Sequence, residues 1–553
     1  MFTFDDSPML YLALGNLFII STGILSVLFY SKEFRGKIHT TVAIGLCILL
    51  LVMLRLPVIV FNDVLNPDEN MFLAGAMTLS QNPIYWEAVD GCTSGPLNFY
   101  IITIFCDTFG QPYDYISARI VGIILLAGSI IFNFFALKKI FSLKIAFASI
   151  FPAVAFLGTT RNYDFVHYSS EHLPIFLLSI LCYLYAKMTS EPKINSLTLF
   201  LTGLIAGLLT LTKLQAVPIA FCLTLVIYWL VYNRYKKQFA KPALWLSAGG
   251  MSVLLLVFIW AMYFGVAEKI WFYYLKNNLS YGNKTNVLAS IYYSLFDSVN
   301  IFIRVIIVSF IGFSVYYLAL KQQYKLTLIG GFVVVFLLST IVAVYKTGYI
   351  FHHYLLFLIF PTIFLYAVFL HELSNSSGHA IQKFTVSVIT IIILYKIVPY
   401  PLKNQFISAN IPQRPLAVSV TSKEITKYLR TNEPLVIWGD DGRLYLETKV
   451  TQGITWGNTH WGMYSDSLQR HFEKEFVKKI TKKKLPVFVD THPTKGTFMT
   501  RDKLGYETRP VLKQLIDSKY RLVGEFDEKR VFVRADRYDE ITAQSGKTKL
   551  TSP

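Results

Sequence analysis

Apolar windows of about twenty residues recur near 9–30, 40–60, 116–137, 144–160, 173–187, 197–212, 215–233, 243–264, 298–320, 326–345, 353–371 and 384–400. A helix needs roughly twenty such residues to cross a hydrocarbon core about 30 Å thick, so the pattern predicts about twelve membrane helices. Beyond residue 400 the period changes. A helical pattern at 421–430 precedes a buried-strand run, Pro434 to Trp438, that ends in Gly439-Asp440-Asp441-Gly442. A helix over 464–482, a strand from Pro486 to Asp490, a helix near 509–517 and two strands within 520–534 follow. That alternation predicts a small α/β domain of three or four strands. The expected organisation is a polytopic α-helical membrane domain over 1–400 with a long loop at 61–115, an α/β domain over 401–540, and a disordered tail at 541–553.

Charge assigns the two faces of the membrane. Lys32, Arg35 and Lys37 follow the first window, and Lys138, Lys139 and Lys144 follow the third. Lys187 and Lys193 follow the fifth, Arg234, Lys236, Lys237 and Lys241 the seventh, and Lys321 and Lys325 the ninth. By the positive-inside rule these short loops face the cytoplasm. The loop 61–115, the turn 161–172, Lys213, the segments 265–297 and 346–352 and the C-terminal domain then face outward. Composition agrees with a membrane protein: 54% of the 553 residues are hydrophobic and 16% charged, against about a quarter charged in soluble domains. The net charge of +18 is divided between short loops and the tail with no basic aromatic platform, so nucleic acid is excluded as a partner and anionic head groups or phosphates are favoured. Of the five cysteines, Cys92 and Cys106 share the long loop and are candidates for a disulfide in an oxidising compartment.

The unusual polar residues all fall on the outward side. Asp68 and Glu69 open an apolar helical run after Asn66-Pro67; they read either as a general base with an orienting acid or as first-turn charges of a helix. The turn from Arg161 to His172 carries Tyr163, Asp164, His167 and Glu171, suited to sugar or phosphate or to an interfacial belt. Glu171 with Asp68 is a donor set for a hard cation such as Mg2+ or Mn2+. Gly203 and Gly207, four apart, suit close helix packing and lead to Lys213, an ammonium placed to meet a phosphate or to snorkel. His353 and Tyr354 lie where the chain re-enters the membrane. A lipid or polysaccharide transporter, the alternative class, keeps its polar groups near the midplane, often on broken helices in two related halves. No internal repeat is visible.

In order along the chain, these elements resemble the GT-C superfamily of integral membrane glycosyltransferases, and most of all the branch of protein O-mannosyltransferases and lipid A aminoarabinose transferases. Asn66-Pro67-Asp68-Glu69 is similar to the family's Asp-Glu loop motif. The run Ser94-Gly95-Pro96-Leu97-Asn98-Phe99-Tyr100, with Arg119 on the next helix, is similar to its Pro-Leu-Tyr segment. Gly207 to Lys213 and His353-Tyr354 to Pro361 are similar to its later helix ends. Ser94-Gly95 stands where some relatives carry Lys or His, a departure at a lipid-phosphate position. The resemblance implies transfer of a sugar from a polyprenyl-phosphate donor to a lipid, glycan or protein acceptor. The reaction is expected at the outer face of a membrane, such as a bacterial inner membrane, with inversion. It implies Asp68 as base, Glu69 and Glu171 as orienting acids, Lys213 and Arg119 on the donor phosphate, and Tyr163, His167, His353 and Tyr354 around the substrates.

Overall fold

The computed structural model describes residues 8–31, 36–280, 328–346, 351–376, 416–457, 466–495 and 500–549, with a few single positions between them (292, 348, 384, 386–388, 390–392, 395 and 459). Two compact units divide the chain. One comprises Met1–Phe61, Arg119–Ile259 and Gly282–Pro412; the other comprises Asn62–Ala118, Trp260–Tyr281 and Gln413–Pro553.

The first unit is helical. Its elements are α1 (Pro8–Ser31), α2 (Lys37–Val60), α5 (Tyr115–Ile140, entering at Arg119), α6 (Leu143–Thr159), α7 (Tyr163–Val166), α8 (His172–Ser190), α9 (Ser196–Leu209), α10 (Val217–Tyr235) and α11 (Ala240–Tyr263). Helices Leu328–Tyr345 and Leu356–Ser376 complete it. Eight helices among the described residues are long and apolar enough to cross a membrane, and the chain is an integral multi-pass membrane protein. The expected windows at 144–160 and 197–212 are shorter helices, α6 and α9; those at 298–320 and, for the most part, 384–400 lie outside the described residues. The small residues at 203 and 207 do the packing they suggested. A Cβ at Gly203 would overlap the Leu246 carbonyl oxygen, and one at Gly249 would overlap that of Phe200, so α9 and α11 touch backbone to backbone.

Two buried arginines tie off helix ends in this unit. Arg55 donates from Nε to Leu157 O at 2.6 Å and from Nη2 to Phe165 O at 2.7 Å, joining the end of α6 to α7. Arg119 donates to Val58 O at 3.2 Å and to Phe61 O, and its guanidinium lies over the Phe61 ring. Terminal carbonyls that helices leave unsatisfied are thereby paired.

The second unit is α/β. Its four-stranded sheet has the order β1 (Val436–Trp438), β2 (Val487–Asp490), β4 (Lys529–Arg534), β3 (Tyr520–Phe526). β1 and β2 are parallel, in the register Ile437 to Val489; β4 is antiparallel to both β2 and β3. The Val-Ile-Trp and Val-Phe-Val-Asp runs are buried on both faces, as strands of a covered sheet are. Asp527 and Glu528, both at positive φ, make the tight β3–β4 turn.

The loop 61–115, expected within the membrane domain, belongs instead to this second unit. It forms α3 (Pro67–Gln81) and α4 (Leu97–Phe109). Ala74 of α3 is fully buried in the same apolar core as Leu435, Ile437, Val489, Val531 and Val533. Another correction concerns the tail. Residues 541–549 are not disordered but continue a helix that starts at Ala535, with Asp536 in its first turn.

Candidate functional site

In the first unit the turn after α6 and the end of α9 bring their polar residues together. Asn162 caps α7 by accepting from Asp164 N at 2.9 Å, which fixes the turn ahead of α8. Glu171 stands at the N-cap of α8 and is fully buried; Lys213, between α9 and the next helical turn, is 4% exposed. Lys213 Nζ donates to Glu171 Oε1 and, at 2.8 Å, to Ser170 Oγ, while Ser170 Oγ donates to Glu171 Oε2 at 3.3 Å. The ammonium also sits 4.4 Å from the ring centroid of Tyr354, itself buried. Burial raises the Glu171 carboxyl, and the Lys213 ammonium together with His353 and Ser169 more than offsets it, holding the group well below the usual carboxylate range.

Next to this pair in sequence lies a histidine cluster. Asp164 Oδ2 is 3.6 Å from His352 Nδ1 and 3.9 Å from His353 Nδ1. Burial raises its carboxyl, but the two imidazoles lower it further, so Asp164 is also held well below the ordinary range. His167 and His353 meet edge to face, with centroids 5.9 Å apart. His167 is fully buried. Its Nδ1 lies 2.7 Å from Tyr163 O, while Nε2 is buried without a hydrogen-bond partner. An imidazole whose Nδ1–H is spent on a carbonyl presents an Nε2 lone pair, the arrangement typical of a metal-ligating histidine. Tyr163 contributes its carbonyl; its side chain is 46% exposed.

Both Glu171 oxygens already accept hydrogen bonds, from Lys213 and Ser170. His167 and His353 are further candidate donors in this unit, and two imidazoles favour a borderline ion such as Zn2+ over Mg2+. His352 and Ser170 were not singled out from the sequence; the adjacent pair His352-His353 was the available signal for the first, and nothing marked the second. Arg119 is not part of the Lys213 cluster. It lines, with Arg55, Gly122, Val166, Tyr168 and His172, a cavity of about 20 Å³, room for a single water.

In the second unit Asn66 caps α3, its side chain accepting from Asp68 N at 2.9 Å, with Pro67 at the first helical position. Glu69 is fully buried and its Oε2 accepts from Leu65 N at 3.3 Å, which turns the carboxylate back on the chain ahead of the helix. Asp68, one position earlier, is only partly buried. The two acids therefore differ: Glu69 holds the helix start and Asp68 keeps an accessible carboxylate. Cys92 and Cys106 do not form the expected disulfide. Both are free thiols; Cys106 is buried on α4 with Sγ 3.6 Å from Pro112 O, and Cys92 sits in a turn at φ 56° whose amide donates to Asp90.

No protein-family model and no curated protein matches the chain. Solved structures do. ArnT from Cupriavidus metallidurans bound to undecaprenyl phosphate aligns with TM-score 0.56 and 12% identity over 89% of this chain and 98% of that one. Its apo form gives the same score and identity over 88% and 97%. The Archaeoglobus fulgidus oligosaccharyltransferase complex with Zn and sulfate aligns at TM-score 0.44 and 10% identity over 89% and 80%. At such identity the likeness to ArnT is one of fold.

Proposed function

We propose that the protein is a membrane glycosyltransferase that moves a sugar from a polyprenyl-phosphate donor to an acceptor hydroxyl or amine on the extracytoplasmic face. The observation that carries this reading is the buried Lys213 ammonium, set among Glu171, Ser170 and the Tyr354 ring on a GT-C fold. A phosphate ester leaving group needs positive charge where its own negative charge develops, and a preorganised ammonium in a water-poor site supplies it. The ArnT structure with undecaprenyl phosphate supports a donor of this kind.

Asp68 is assigned as general base, because its carboxylate is accessible while that of Glu69 is committed to the helix start. The acceptor heteroatom attacks the anomeric carbon, the bond to the phosphate oxygen breaks, polyprenyl phosphate leaves, and the acceptor proton passes to Asp68. A single displacement inverts the anomeric centre. Glu171 orients Lys213, and His167 and His353 would help hold a divalent cation, which would supply further charge stabilisation when bound. Arg119 keeps the donor-phosphate role that its motif resemblance implies.

The test is a reconstituted transfer assay with polyprenyl-phosphate sugars and wild-type, Asp68→Asn and Lys213→Met protein. Asp68→Asn is expected to abolish transfer with donor binding kept, and Lys213→Met to weaken donor binding as well. Full activity of Asp68→Asn would falsify the base assignment.

A further inference from the structure

The C-terminal α/β domain shares its interior with the helix that carries the acidic pair. Ala74 of α3 is fully buried in the apolar core of the sheet, and Met77 packs against the same core. Both ends of α3 are fastened to the domain. Near its start, Gly442 follows β1 so closely that an added Cβ would stand 3.0 Å from Asn70 Cβ and 3.3 Å from its carbonyl carbon. The backbone φ at Gly442 is −61°, so the need for glycine here is space and not conformation. The next residue, Arg443, reaches Asp63 Oδ1 from Nη1 at 2.5 Å, on the strip of chain that leads into α3. Arg443 is itself held from behind: its Nε donates to Glu447, whose other oxygen accepts from Ser419 N at 2.8 Å. Toward the far end of α3, Gln452 N donates to Thr78 Oγ1 at 3.1 Å. Asn70 is also gripped from within the loop, its Oδ1 accepting from Tyr115 OH at 2.5 Å.

We infer that the C-terminal domain is the mount of the acidic helix, and that Gly442 and Arg443 are positioning residues for Asp68. The inference rests on the reading of Asp68 as the general base. The turn Asp440-Asp441-Gly442 is then a structural joint. Asp441 is spent on Lys529 at 3.1 Å, Gly442 is the seat for Asn70, and Arg443 is the strut to Asp63. A base works only within hydrogen-bond reach of the proton it takes, and a misplacement of about 1 Å costs on the order of 100-fold in rate. The tail therefore acts on the chemistry without touching a substrate.

The experiment uses the full-length protein in detergent or nanodiscs, with Arg443→Ala, Asp63→Asn, their double variant, Gly442→Leu and Arg443→Lys. Two readouts are taken: steady-state transfer, and hydrogen exchange of the α3 amides. Arg443→Ala and Asp63→Asn are each expected to lower kcat by roughly 10- to 100-fold with donor KM unchanged. The double variant should fall no further than either single change, and Arg443→Lys should recover part of the loss. Exchange at amides 68–73 should rise in every impaired variant and stay constant in helices of the membrane unit. A variant that fails to fold is replaced by Asp63→Asn, which removes the same strut from the loop side. If wild-type protein transfers no sugar, the glycosyltransferase reading fails, while the exchange data still decide the mount. The inference is overturned by unchanged exchange at 68–73 in Arg443→Ala and Gly442→Leu, or by a loss that appears wholly in KM.

Discussion

Replacing Glu171 by Gln isolates the most consequential interaction in the membrane unit. Glu171 is fully buried and Lys213 nearly so, and the pair is completed by Ser170 and the Tyr354 ring. An exposed pair contributes about 0–1 kcal/mol, but removing one partner of a buried pair leaves the other charge in a medium that cannot solvate it, at about 3–5 kcal/mol. Gln keeps the shape of Glu and one acceptor oxygen, so the loss is electrostatic. Unfolding of the purified protein in detergent is the assay, with the double variant Glu171→Leu/Lys213→Met as control. The double variant is expected to regain most of the lost stability, because replacing both charges by apolar groups removes the desolvation cost as well. The pH dependence follows in sign. Glu171 and Asp164 have carboxyls held below their unfolded values, so the stability they contribute is present above about pH 4.3 and is lost as pH falls toward their folded values. Glu171→Gln should flatten part of that acid limb. A cost under about 1 kcal/mol, equal in the single and double variants, refutes the claim that this pair is dry and coupled.

The other predictions concern separate parts of the molecule. Asp90 is buried, accepting from Cys92 N and Trp456 Nε1, and burial pushes its carboxyl up to about 7. Its contribution is therefore present below about pH 4 and declines as pH rises to 7; Asp90→Asn should remove that decline in a pH series of unfolding midpoints. Gly203→Val should prevent the backbone contact of α9 with Leu246 and destabilise by more than the 1–3 kcal/mol of ordinary overpacking, read as lost monodisperse protein on size-exclusion chromatography. Five free cysteines predict five alkylated thiols by intact mass after denaturation without reductant; three would restore the Cys92–Cys106 bridge.

What the sequence disclosed, and what it hid, divides along one physical line. The spans were legible because a twenty-residue apolar stretch has few alternatives to a membrane helix, and Gly203 with Gly207 were legible because small residues four apart form a stripe on one face. The start of α3 was legible too: Asn66 as cap, Pro67 at the first position and two acids in the first turn are local devices that act within four residues. Glu171 with Lys213 was approachable because one precedes an apolar run and the other ends one, on the same side of the positive-inside map. Other features depend on partners far along the chain. Thr78 meets Gln452 across 374 positions, and Arg443 meets Asp63 across 380. No periodicity reports such a partner, so the loop was assigned to the membrane helices on either side of it. Burial of Ala74 settles the matter physically, since a small apolar side chain in mid-helix stabilises only whatever covers it, and what covers it is the sheet of the tail. The division of labour between Asp68 and Glu69 was hidden for the same reason. Adjacent acids are alike in sequence, and only the chain folding back to Leu65 N commits the Glu69 carboxylate to the helix start and leaves Asp68 partly buried beside it.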